Sequence, residues 1–438
     1  MLKRKMQLVL KEYFSSMESR ILIVDGARQI GKSYIIRHEG RAAFANFVEI
    51  NMIDDRDGAR VFADVRGVED FYVRLSSFAG RRLGTKENTL VFIDEIQAYP
   101  EMLTLLKFLC DDGRFNYVAS GSLLGVTLHK TLSVPGGRIE VQHMYPLDFE
   151  EFLWANGVGD DVVAHMREQF ERREGLSDGL HRRIMELFKT YLLVGGLPQA
   201  VNEYMAKQNI YRVRKVHEEI YNLYKEDASQ YSMAEKLKIR RVYDLIPSNM
   251  ENRKKRLHFN DIEYKRGRAA RDYEDEIEYL VSAGVALEVR AIANPVFPLI
   301  ASARKNLLKL YMNDVGLLSH ILFHTNVTAV KDDQLSVNLG SVYETVVATE
   351  LQAHGHPLFY YDNKQKGEVD FMIDDYGTLS ILPLEVKSGK DYSIHRALDR
   401  FVSNADYKVR SAIVLSNEAS VVLQGNVMHM PVYYTMFL

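Results

Sequence analysis

The chain of 438 residues has one cysteine, Cys110, which excludes an intrachain disulfide and any multi-thiolate zinc or iron-sulfur site. A reducing cytoplasm is therefore the expected compartment. The single tryptophan, Trp154, stands beside Phe152 and Leu153 and is expected in a core rather than at a cofactor. Nowhere do 18 apolar residues run together, so no transmembrane helix and no membrane partner are expected. The basic start has its apolar Leu8-Val9-Leu10 interrupted by Lys11 and Glu12, which fits neither a secretory signal nor a transit peptide. An excess of one charge is also lacking. The 56 Lys+Arg against 59 Asp+Glu leave a net charge of −3, which gives no hint of nucleic acid over the whole chain and sends the question of charge to individual segments. The 13 histidines show no His-Glu-x-x-His or comparable ligand spacing.

Internal repeats and low-complexity segments are absent, and the 10 prolines are scattered rather than gathered in a linker. At roughly 150 residues per domain the length suggests about three domains, and their boundaries must come from changes in pattern. From Ile21 to about Leu153, short apolar runs alternate with helical stretches. Ile21 to Val24, Phe44 to Ile50, Leu90 to Ile93, Phe115 to Ala119 and Arg138 to His143 read as strands of a mostly parallel, doubly covered α/β sheet. Helical spacing, as at Ile184, Leu187, Phe188, Tyr191 and Leu192, dominates from about Phe149 to Val289, closing on a strand-like run from Val285 to Ala293. A second α/β region follows, with strands expected at Phe371 to Ile373, Ile381 to Val386 and Ala412 to Leu415. The expected domains are 1–155, 156–305 and 306–438.

The first strand runs into Gly26-Ala27-Arg28-Gln29-Ile30-Gly31-Lys32-Ser33, the G-x-x-x-x-G-K-[ST] spacing of a phosphate-binding loop between strand and helix. The two glycines let the backbone curl so that its amides and the helix N-terminus face phosphate oxygens. Lys32 is expected to reach the terminal phosphates, and Ser33 to hold Mg²⁺. Downstream, Thr89-Leu90-Val91-Phe92-Ile93-Asp94-Glu95 is a buried-type strand ending in two carboxylates, Asp94 for the Mg²⁺ shell and Glu95 to polarise an attacking water. A further strand ends in Ser120-Gly121-Ser122, small polar groups suited to sensing a γ-phosphate. ATP and Mg²⁺ are the expected ligands.

These elements resemble an AAA-type P-loop ATPase with a catalytic Glu after the Mg²⁺ Asp and an additional strand between phosphate loop and acidic strand. Further stretches, Gly137-Arg138, Tyr145 to Leu153, Tyr191-Leu192-Leu193-Val194-Gly195-Gly196-Leu197-Pro198 and Lys309 to Leu317, resemble a widespread prokaryotic family. That family joins such an ATPase to a helical and winged-helix middle and a restriction-endonuclease-like C-terminal domain. AAA-type enzymes often complete the site with an arginine, for which Arg138 is the candidate because it follows the last sensor-like segment. Their sites commonly lie between subunits, and the sequence is compatible with a monomer or an oligomer.

Between Lys236 and Arg271 twelve basic residues stand against four acidic ones, a local charge of +8 and a candidate footprint for DNA on a winged helix. The acidic run Asp272 to Glu278 follows at once, so a solvated or internally paired helix surface accounts for the same pattern. In the last domain Asp370, Glu385 and Lys387 have D…E-x-K spacing on two successive strands. The two acids can share a Mg²⁺ ion, Lys387 can orient water, and Glu344 can add an outer carboxylate. The string alone is weak, and its strand context strengthens the resemblance to a nuclease core. Two readings follow. One is an ATPase whose nucleotide cycle licenses a Mg²⁺-dependent DNA nuclease; the other is a nucleotide-switched regulatory or interaction protein whose nuclease-like domain binds without cutting.

Overall fold

Short runs rich in β-branched and other apolar residues give the first sheet its strands: β1 (Ile21–Asp25), β2 (Asn46–Asn51), β3 (Thr89–Asp94), β4 (Asn116–Gly121) and β5 (Ile139–His143). The computed structural model describes residues 1–16, 20–53, 58–122, 137–226, 233–252, 254–324, 326–331, 339–389 and 395–438. All pairings among these five strands are parallel, in the order β2-β3-β4-β1-β5, so β4 lies between the strand leading to the phosphate loop and the strand ending in Asp94. The expected parallel sheet is present.

Every residue of β1 and β3 is buried, as strands covered on both faces require. Val91 and Ile93 point into a cluster with Phe71, Leu75, Leu103 and Leu106 from the helices Val68–Ala79 and Pro100–Asp112. On the other face the helix Lys32–Ala43 comes so close that a Cβ on Gly40 would meet Leu90 at 2.8 Å. Pro100 opens its helix at a position that needs no amide, and Gly113 ends it in the left-handed conformation.

The chain divides into two compact units, one built on Lys3–Tyr145 and one on Pro146–Val281 with Val285–Leu438. The second begins with helices, among them Asp178–Val194, Ile210–Glu226 and Met233–Glu251, and continues into an eight-stranded mixed sheet. Its strands are β6 (Ala286–Ile292), β7 (Arg304–Met312), β8 (Phe359–Asn363), β9 (Gly367–Asp375), β10 (Ser380–Val386), β11 (Ala412–Ser416), β12 (Val422–Gln424) and β13 (Val427–Pro431). The order is β12-β13-β11-β10-β9-β8-β6-β7, with β9 antiparallel to both neighbours and β11 parallel to β10. The sheet thus starts at Ala286, and the sequence boundary at 306 falls inside β7. No helix among the described residues is long and apolar enough to cross a membrane.

Three of the family-like stretches interlock in this unit. Gly196 donates its N–H to Asp314 Oδ2 at 2.6 Å, and its carbonyl accepts from Leu147 N at 2.7 Å. A Cβ on Gly196 would lie 2.0 Å from Leu147 O, and one on Gly316 2.6 Å from Val194 O, so only glycine permits the approach. Asp314 also caps the helix Val315–Phe323 by accepting from Leu317 N at 2.9 Å. Burial pushes its carboxyl up to about 6 against the pull of these amides.

Candidate functional site

The phosphate loop begins where β1 ends. Gly26 has φ 140° and Gly31, the residue before the helix Lys32–Ala43, has φ 95°, so the curl needs glycine at both ends. At Gly26 a Cβ would meet Met144 O at 2.2 Å. Between them lie Ala27, Arg28, Gln29 and Ile30, with Gln29 also left-handed at φ 65°. Lys32 is buried and donates to Gly26 O at 2.8 Å and Ala27 O at 2.7 Å, holding its ammonium inside the loop. Burial pushes the Lys32 ammonium down, opposed by Glu95, Asp25 and Asp94.

Ser33 donates to Asp94 Oδ1 at 2.9 Å, which brings the hydroxyl at the helix start to the carboxylate at the end of β3. Ser120, at the end of β4, hydrogen-bonds the same oxygen. Two hard oxygen donors side by side, one of them anionic, fit the coordination preferences of Mg²⁺. Glu95 follows in a left-handed conformation, φ 55°, and its Oε2 accepts from Gln97 Nε2 at 2.5 Å. Gln97 in turn reaches the end of β4, accepting from Ser122 N at 3.2 Å and lying 3.3 Å from Ser122 Oγ.

Arg138 is not brought to this edge. It precedes β5, with its carbonyl accepting from Ile21 N, so it stands at the start of two parallel strands whose far ends carry the loop. Five residues of strand separate the two edges by roughly 16 Å. Its guanidinium pairs with Asp111 at 2.7 Å. The residue that β5 does deliver to the loop edge is His143, whose Nδ1 lies 3.1 Å from Asp25 Oδ2 and whose pKa this hydrogen bond raises.

Several residues at this edge carry no sequence signal of their own. Arg37 forms a forked pair with Glu49 at 2.6 to 2.9 Å and lies 3.6 Å from Asp94 Oδ2; Asn51 Nδ2 lies 3.4 Å from the same oxygen. Asn51, Asp94 and Gly121 end three neighbouring parallel strands, and counting strand ends is the one signal that would have found Asn51.

In the second unit β9 and β10 pair with Leu384 opposite Phe371, and continuing that register sets Glu385 beside Asp370. Asp370 Oδ2 accepts from Val386 N at 2.8 Å, and Lys387 donates to Glu385 Oε1 at 2.8 Å. The buried Glu344, on the helix Gly340–Ala353, accepts from Tyr311 OH at 2.9 Å and pairs with Lys255. Lys309 is fully buried, 2.6 Å from Glu368 Oε1 and 4.5 Å from the Tyr360 ring centroid. Burial, reinforced by Glu344 and Glu385, pushes Asp370 well above the usual carboxylate range. Among the described residues no three His, Cys, Asp or Glu side chains converge as metal ligands. The expected Mg²⁺ set of Asp370, Glu385 and Glu344 is thus brought to one neighbourhood, which it shares with Lys255, Lys309 and Lys387.

Half of the twelve basic residues of the middle stretch are ion-paired inside the chain. Lys238 lies 3.6 Å from Glu276, Arg240 3.7 Å from Glu226, and Lys265 and Arg268 3.4 and 3.2 Å from Glu263. Lys255 and Arg256 turn inward to Glu344 and Asp362. Arg253 lies outside the described residues. Glu276, Glu226, Glu344 and Asp362, all outside the stretch, thus offset about half of its +8.

Residues 18–153 match the family model AAA_14, described as an AAA domain. Residues 185–328 match DUF8612 and 339–434 match DUF4143, each described as a domain of unknown function. No curated protein matches the sequence. Among solved structures, a Walker-type ATPase of Pyrococcus abyssi is similar at 16% identity and TM-score 0.43, over 73% of this chain and 95% of that one. Cdc6p from Pyrobaculum aerophilum is similar at 13% identity and TM-score 0.29, over 76% and 94%. A RuvB variant from Thermotoga maritima is similar at 14% and 0.27, over 65% and 87%. The match to an AAA domain over residues 18–153 thus falls on the loop, the acidic strand and the strand between them.

Proposed function

We propose that the first unit binds ATP with Mg²⁺ at the loop Gly26 to Ser33 and hydrolyses it. The observation that carries this reading is the bond from Ser33 Oγ to Asp94 Oδ1, which sets a phosphate-loop hydroxyl and a strand-end carboxylate side by side. Ser33 and Asp94 would hold the metal, which when bound offsets negative charge on the phosphates. Lys32 exchanges its two loop carbonyls for phosphate oxygens. Glu95 accepts the proton of the attacking water, held in place by Gln97, and Ser120 ties the end of β4 to Asp94. Arg138 can serve only the site of another subunit, since its own chain holds it at the opposite edge.

Lys32→Ala is expected to abolish ATP binding, and Glu95→Gln to retain binding while losing about 10²- to 10⁴-fold in turnover. Normal turnover by the Glu95 variant removes that residue from the role of base.

The placement of Asp370 and Glu385 across β9 and β10, with Lys387 two residues on, supports a restriction-endonuclease-like C-terminal domain. Of the two readings of that domain, binding without cutting is favoured by the lysines buried among its acids. The test is plasmid DNA with Mg²⁺, with and without ATP, comparing wild type and Lys387→Ala. No cutting by either is the expected result, and cutting by wild type that Lys387→Ala loses establishes the nuclease.

A further inference from the structure

The acids of the second sheet have a tighter organisation than their spacing in the sequence implies. Four carboxylates, Glu344, Glu368, Asp370 and Glu385, share their surroundings with three ammonium groups, Lys255, Lys309 and Lys387. A divalent cation site collects negative charge and leaves oxygen lone pairs open for the ion. Here several of the oxygens are already engaged. Both oxygens of Glu344 are used, one by Lys255 and one by Tyr311, and Glu385 Oε1 is taken by Lys387. Asp370 Oδ2 is occupied by a backbone amide. Glu385 Oε2 is the oxygen that stays buried with no hydrogen-bond partner among the described residues.

Lys255 is held where it is by more than its own charge. Its backbone is left-handed, φ 49°, an uncommon conformation for a lysine. Two residues on, Leu257 N donates to Leu308 O at 3.1 Å and pins the segment to β7, while the intervening Arg256 pairs with Asp362. Upstream, Ser341 at the start of the Glu344 helix donates to Glu251 at 2.6 Å. The side chain of Lys255 keeps 15% of its surface in solvent and that of Glu344 4%, so this is an interior ion pair and not a surface contact. Breaking such a pair leaves a buried charge uncompensated, which makes the arrangement persistent.

We infer that Lys255 is the resident cation of this carboxylate cluster: with Lys309 it takes the electrostatic place of a divalent metal, so the domain engages its partner without metal-dependent cleavage. The inference rests on the non-cutting reading above and supplies its physical cause. For Glu344 to join a metal, Lys255 would have to leave it.

The test is a Mn²⁺ titration of the full-length chain without nucleotide, followed by electron paramagnetic resonance. Wild type and Asp370→Asn are expected to give the same isotherm, because no Mn²⁺ sits at Asp370. Lys255→Gln is expected to gain one site at least about tenfold tighter than any background binding, and Asp370→Asn in that variant to remove it. A wild-type site that Asp370→Asn abolishes overturns the inference, as does a folded Lys255→Gln that gains nothing. Should Lys255→Gln fail to fold, the comparison of wild type with Asp370→Asn still decides. A Mn²⁺ site in a wild-type protein that cuts no DNA sinks the resident-cation idea and leaves the non-cutting reading standing. Cutting that Lys387→Ala loses sinks both.

Discussion

Gln97 offers the sharpest probe of the nucleotide site, because its amide is the link between Glu95 and the end of β4. Replacing it by Met keeps most of its volume and removes both hydrogen-bonding functions. Glu95 then loses its 2.5 Å donor and is free about its first two side-chain torsions. With about three staggered wells at each, the productive rotamer falls to roughly one in nine, a loss near 1.3 kcal/mol in the transition state. Turnover of Gln97→Met should therefore fall about tenfold, well short of the loss expected when the carboxylate itself is replaced. The assay is steady-state phosphate release beside binding of a fluorescent ATP analogue, and the affinity should hardly change because the hydrogen bonds of Gln97 go to Glu95 and Ser122 rather than to the loop. A Gln97→Met enzyme as fast as wild type, or faster, would refute the reasoning: the amide would then be restraining Glu95 rather than aiming it.

Other expectations concern the second unit. Gly196→Ala forces a Cβ into Leu147 O and should cost about 3 kcal/mol or more in urea unfolding of that unit, whereas Gly179→Ala, with nothing near its Cβ, should be close to neutral. Asp314 titrates near 6 in the fold against an ordinary value of 3.8, so its protonated form is the one the fold favours. Its contribution is complete below about pH 4 and is lost as pH rises through 6, an amount of about 3 kcal/mol. The stability difference between wild type and Asp314→Asn should move by that amount between pH 4 and pH 7 in the variant's favour; a flat difference would place the carboxyl at an ordinary pKa.

What the sequence made legible is what lies close together along it. Gly26 to Ser33 and Asp94-Glu95 are short strings whose spacing is itself the geometry, and the five strands around them show as apolar runs. Arg138 stands away from its own chain's loop for a reason of register: nearness in sequence to β4 says nothing about which end of β5 a residue occupies, and pairing beside Ile21 puts it at the far one. In the second sheet β7 escaped notice because it carries Lys309, a charge that a buried strand should not hold without a partner some sixty residues away. β12 escaped because its three residues are all exposed. The basic stretch left two readings open for the same reason, since whether Lys255 faces phosphate or Glu344 is decided by a helix far downstream.

The lock between Leu147, Gly196 and Asp314 bears on how the protein comes into being. Its three members are spread over more than a third of the chain, and Phe149 N is further bonded to Glu350 Oε1 across 201 residues. Contacts this distant close late, after the loop entropy between them has been overcome. On a ribosome the helices from Phe149 onward must wait, with apolar faces uncovered, until Asp314 and Glu350 have emerged, whereas the first sheet has all its strands by His143. Synthesis therefore passes through a long interval in which a finished nucleotide-binding sheet is tethered to an unfinished partner, and chaperone demand should be concentrated in that interval.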